Sequence, residues 1–118
     1  MVNYTQLDRT FAALADPTRR AIMSRLARGE ANVSEIAEPF PMSLPAVSKH
    51  LRILEDAGLL VRRKEGRTHH CNLRTEPLSD AAEWIGEARR FWGKNLDALA
   101  QFLEQPDDGT NIKRKPRK

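Results

Sequence analysis

One cysteine, Cys71, is all the chain contains. No internal disulfide can form, and this cysteine usage suits a reducing cytoplasm. No apolar run approaches the roughly 18–20 residues of a membrane helix. The opening M-V-N-Y-T-Q-L-D-R-T has no basic segment followed by an apolar one. Neither a membrane span nor a secretory signal is therefore expected. Histidine is scarce, with three residues confined between His50 and His70. No Ser/His/acid set, phosphate loop or carboxylate pair stands out, and 118 residues would bury an active site poorly. We expect no enzyme, no cofactor and no resident metal. The length allows one modest core, with residues 1–105 as the domain and 106–118 as a disordered basic tail.

What is abundant is charge, and its distribution says more than its total. The net charge is +4. Residues 43–74 carry +4 and all three histidines, residues 75–105 carry −3, residues 1–42 balance, and the tail carries +3. A basic middle and an acidic last segment fit a molecule that turns one side to phosphates and another to a protein partner.

The middle segment, Val33 to Leu73, is the informative one. Asn32-Val33-Ser34-Glu35 has the form of a capping box opening a short helix to about Glu38, which Pro39 and Pro41 end. Ser43 is a good N-cap for the next helix, and Pro45 is tolerated in its first turn. That helix should end at Ala57, with Gly58 left-handed just past it. At 100° per residue, Leu44, Val47, Leu51 and Leu54 share one side, extended by Ala46, Ile53 and Ala57, while Pro45, Ser48, Lys49, Arg52 and Asp56 share the other. His50 falls on the inward side and reads as structural. Small residues beside Lys49 and Arg52 near the helix N-terminus suit a backbone that approaches a groove, with polar groups for base edges and phosphates.

Two strand-like runs follow, Leu59–Lys64 and Thr68–Leu73, around Glu65-Gly66-Arg67. Gly66 supplies the positive φ of a tight hairpin. Arg62, Arg63, Lys64 and Arg67 crowd its tip. One reading is an edge strand guarded by charge; the other is a wing laid against phosphates. Its place directly after a recognition-type helix favours the second. The order of elements is helix-turn-helix plus a basic hairpin.

The flanks read as helices. Residues 4–14 place Leu7, Phe11 and Leu14 on one side. Asp16-Pro17 opens a second helix running to about Arg28, with Ala21, Ile22 and Leu26 inward. Arg19 is expected to pair with an acid such as Asp16, and Arg20 is left between that role and phosphate contact. A long helix from about Leu78 to Glu104 carries Ala81, Trp84, Ile85, Ala88, Phe91, Trp92, Leu96, Leu99, Phe102 and Leu103. That stripe is wider than one small domain covers, which points to dimerisation through this helix and the first. Leu7, Phe11, Trp84, Ile85, Phe91, Trp92 and Leu99 are the candidate interface residues.

Three stretches together resemble the ArsR/SmtB family of bacterial winged-helix repressors. They are A-L-A-D-P-T-R-R-A-I-M-S-R-L, ending at Leu26, then S-x-x-A-V-S-K-H-L-R-I-L-E-D-A-G-L-L-V from Ser43 to Val61, and R-R-K-E-G-R-T from Arg62 to Thr68. The similarity spans roughly residues 5–105. The resemblance implies a mainly α fold of about five helices with a two-stranded β-hairpin wing, and a homodimer held by the first and last helices. It implies repression of transcription until a signal, such as a small-molecule inducer, releases the protein from double-stranded DNA. The operator would be an inverted repeat, and the protein would regulate its own gene. Ser43, Leu44, Pro45, Ser48 and Lys49 would face bases or flanking phosphates, Arg52 the backbone, and Arg62, Arg63, Lys64 and Arg67 the adjacent groove. Many members bind metal through paired cysteines on the third helix or through Asp, His and Glu or His on the last. Here V-S-E-I-A-E has no cysteine and the last helix no histidine, so neither site is expected. His69 and Cys71 share one strand face and His70 the other, two ligands short of the usual four for zinc. Two rivals stay open. One is a winged-helix module that binds protein. The other is a DNA-binding thiol or metal sensor using Cys71.

Overall fold

The computed structural model describes residues 4–104, so the expected basic tail lies outside the described residues. The elements are α1 (Tyr4–Leu14), α2 (Pro17–Leu26), β1 (Ala31–Asn32), α3 (Val33–Ala37), α4 (Leu44–Asp56), β2 (Leu60–Glu65), β3 (Thr68–Leu73) and α5 (Glu76–Glu104). The chain forms two compact units that divide between Trp84 and Ile85. α5 runs through the division, and its buried residues, Pro77 and Ala81, both precede it.

Local chemistry sets the helix ends. The Asp16 carboxylate accepts the Arg19 backbone N–H at 3.1 Å and opens α2, with Pro17 at its start. Asn32 and Glu35 form a reciprocal capping box at 2.8 Å in each direction. Ser43 Oγ accepts the Ala46 N–H at 3.2 Å and opens α4. These contacts satisfy donors that a helix leaves free in its first turn. α4 ends in a Schellman motif. Gly58 has φ 76°, its N–H reaches Glu55 O, and the Leu59 N–H reaches Leu54 O, both at 2.9 Å. Only glycine takes that φ without a penalty.

The core of the first unit is built where α2, α3, α4 and the sheet meet. Ile22, Ile36, Val47, Leu51, Leu54, Leu59 and Cys71 are all fully buried. Phe40 and Met42, on either side of Pro41, pack on this core and pin the turn between α3 and α4. α1 adds a tie from the outside: Gln6 Nε2 donates to Ala57 O at 2.7 Å and so holds the end of α4. Two inward assignments fail. Ala21 is exposed, and Leu44 is 53% exposed although its projection groups it with Leu51 and Leu54. A projection gives an angle around the helix. It does not say where along the axis the core stops, and Leu44 lies beyond that edge.

The expected two-stranded wing, β2 and β3, is joined by a third short strand, β1. The sheet order is β1-β3-β2, all antiparallel, with Ala31 opposite Cys71 and Asn32 opposite His70. β1 is two residues long, and its second residue also caps α3, so the sequence shows the cap and hides the strand. In the hairpin, Leu60 pairs with Leu73 and Glu65 with Thr68. Gly66 and Arg67 form a two-residue turn, with Gly66 at φ 64°.

Candidate nucleic-acid interface

α4 and the hairpin are positioned by the same core. Val47, Leu51 and Leu54 are fully buried, which turns the opposite side of α4 to solvent. Ser43, Pro45, Lys49 and Arg52 are exposed there, and Ser48 is half-buried. Lys49 and Arg52 have no ion-pair partner among the described residues. Ser43 uses its oxygen as a cap acceptor and keeps its O–H to donate.

The four wing cations separate into two kinds, which corrects the picture of a tip crowded by four equal charges. Arg62 is half-buried and lies 3.4 Å from Glu55 of α4. Its Nε is buried without a hydrogen-bond partner among the described residues, as is His69 Nδ1. Arg63 is held by Glu30 at 2.9 Å and Glu65 at 3.2 Å. The same two carboxylates hold His70, at 3.2 and 3.4 Å, so the four residues close a ring. The Asn72 amide also donates to Glu30. That hydrogen bond, with Arg63 and His70 beside it, keeps the Glu30 carboxyl below the usual range. Lys64 and Arg67 are exposed, with no ion pair among the described residues. These two are the wing cations left for an external anion.

The arginines of α2 also resolve. Arg19 Nε donates to Ala13 O at 2.7 Å and its Nη2 to Ala12 O at 3.1 Å. Arg20 Nη1 donates to Leu14 O at 2.8 Å. Both side chains therefore cap the carbonyl end of α1. Arg19 was expected to form a side-chain pair with Asp16, but only its backbone N–H contacts that residue. Arg19 Nη1 also donates to His50 Nδ1 at 3.2 Å, which gives His50 the structural role read from the sequence.

Cys71 faces Arg62 across the hairpin and is fully buried. Burial pushes its thiol up, away from the reactive thiolate. This weighs against the thiol-sensor rival. No group of three or more His, Cys, Asp or Glu among the described residues could hold a metal ion.

The dimer candidates divide as well. Leu7 is only 5% exposed. It is buried within its own chain, which corrects its assignment to a subunit interface. Phe11 and Trp84 are half-buried and meet edge to face, with centroids 5.9 Å apart. Beyond them, Ile85, Phe91, Trp92, Leu96, Leu99, Phe102 and Leu103 of α5 are all exposed, from 42% to 69%.

Comparison with known proteins agrees with this architecture. Residues 14–63 match the family described as a helix-turn-helix domain. The chain is 41% identical over 110 residues to the HTH-type transcriptional regulator Rv2034 of Mycobacterium tuberculosis, covering 93% of this chain and all of that one. It is similar to the crystal structure of the ArsR family transcriptional regulator RHA00566, at 46% identity and TM-score 0.75, covering 79% of this chain and 97% of that chain. The chain belongs to the ArsR family of winged helix-turn-helix transcriptional regulators. That family is defined by DNA-binding regulators and is not an enzyme class. Another family relative is the transcriptional repressor SdpR of Bacillus subtilis, 35% identical over 67% of this chain and 88% of that one. The homodimeric winged helix-turn-helix DNA-binding domain of Mb0332 from Mycobacterium bovis shares 28% identity at TM-score 0.57, over 80% of this chain and 85% of that chain. No described helix is long and apolar enough to cross a membrane.

Proposed function

We propose that the chain is a homodimeric, sequence-specific repressor that binds an inverted-repeat operator. The observation that carries this reading is the exposed face of α4. Ser43, Leu44, Pro45 and Ser48 lie near its N-terminus, and Lys49 and Arg52 beside them lack an internal counter-charge. In a winged helix, that end enters the major groove, and its orphan N–H groups favour phosphate. Lys64 and Arg67 then reach the adjacent backbone. Arg62 and Arg63 act indirectly, by holding the wing against α4 and the Glu30 loop.

A second copy of the chain covers the α5 stripe. Seven large apolar side chains exposed on one helix are more than a monomer ordinarily leaves in water. A two-fold dimer places two recognition helices about one DNA turn apart, roughly 34–36 Å. Repression fits the relatives' roles: occupying an operator blocks transcription until a signal releases the dimer. Footprinting on the DNA upstream of the chain's own gene tests this. A protected two-fold symmetric site is expected, and diffuse protection that shifts with salt would contradict it.

A further inference from the structure

We propose that Leu44 selects a thymine in each half-site by packing against the C5-methyl group in the major groove. This deepens the DNA reading above and rests on it. Leu44 is the first residue of α4 and is 53% exposed, while Val47, Leu51 and Leu54 are fully buried. It therefore adds little to the core. Leu44, Ser48, Arg52, Pro45 and Lys49 fall within an arc of about 140° on the helix. A large apolar side chain thus sits at the edge of a polar and cationic face.

The chemistry of that face narrows the occupant. An apolar protein surface docked there would bury Lys49 and Arg52 away from water without partners, which is costly. Duplex DNA instead offers phosphates to both cations. In its major groove the one apolar group on a natural base edge is the thymine methyl. Leucine has no donor or acceptor, so it cannot read guanine, adenine or cytosine by hydrogen bonds. What it can sense is the presence of that methyl. Pro45 and the half-buried Ser48 are small enough to let the helix approach to contact distance.

The test changes the DNA and leaves the protein intact. Sites are selected from random duplexes with the full chain, and each thymine of the consensus is replaced in turn by deoxyuridine, which lacks only the methyl. Affinities are measured by fluorescence anisotropy for wild type, Leu44→Ala and Leu44→Met. At one thymine per half-site, deoxyuridine should weaken wild type about fourfold, the usual worth of one buried methyl. Leu44→Met should keep that penalty. Leu44→Ala should bind the thymine site correspondingly weaker and show no further loss with deoxyuridine. The proposal is overturned if no deoxyuridine affects wild type, or if Leu44→Ala retains the full penalty. Failure of the selection to yield any consensus would instead overturn the DNA reading itself, and this proposal with it.

Discussion

The guanidinium of Arg62, on the first wing strand, lies 3.4 Å from the carboxylate of Glu55, near the end of the recognition helix. One contact therefore links α4, the proposed recognition helix, to the wing strand β2. Arg62 acts as a positioning residue, and it pairs across the hairpin with the buried Cys71. Glu55 is 41% exposed, so water screens the pair. Arg62→Ala should cost about 1 kcal/mol, a fall of about 4 °C in melting temperature. It should weaken operator binding without changing the salt slope. A slope change as large as that of Arg67→Ala would show that Arg62 itself contacts phosphate.

Lys49 and Arg67 should separate by the kind of loss they cause. Lys49→Ala is expected to cost about 1–3 kcal/mol on the operator and little on unrelated duplexes, as for a base-edge contact. Arg67→Ala should weaken binding evenly on every sequence and reduce the salt slope by about one for each subunit. Titrations of operator and scrambled duplex at several salt concentrations read both effects. Equal weakening by Lys49→Ala on all sequences would remove its base-reading role.

The α5 stripe predicts a dimer that depends on Phe91, Trp92 and Leu99. Trp92→Ala combined with Leu99→Ala removes two large exposed side chains that the core does not use. The double variant should be mainly monomeric by light scattering at micromolar concentration, keep its helical circular dichroism, and lose most operator affinity. A variant that stays dimeric and binds normally would place the interface elsewhere.

Acid should loosen the start of α2. The Arg19 backbone N–H, with the Arg19 guanidinium charge nearby, holds the Asp16 carboxyl below its ordinary value of 3.8. A carboxyl depressed in the folded state adds stability above its unfolded pKa and loses it as pH falls through the folded one. The contribution is therefore present above about pH 4 and fades in stronger acid. Asp16→Asn keeps the cap and removes the titration, so its melting temperature should fall less steeply below about pH 4 than that of wild type. Parallel curves would show that Asp16 does not contribute to the acid limb.

Much of the fold was legible because its signals are local. Asp16, Asn32 and Ser43 are caps within three residues of what they bond, and Gly58 and Gly66 mark turns by their own geometry. What the sequence concealed was relational. β1 is two residues recognisable only by pairing with β3. Arg62 and Arg63 looked like free wing charges because Glu55 and Glu30 are distant in sequence. Arg19 and Arg20 looked misplaced at a helix start until α1 brought its carbonyls to them. Leu7 had the right periodicity for a surface stripe, but periodicity does not distinguish a chain's own core from a partner's.

The central claim is that two copies of this chain read one symmetric site. The most direct measurement is a stoichiometric titration of the full chain into the selected operator and into a scrambled duplex, at near-physiological salt. A sharp endpoint at two chains per operator is expected, with binding at least a thousandfold tighter than to the scrambled duplex. Equal affinities for the two duplexes, or an endpoint at one chain per site, would contradict it.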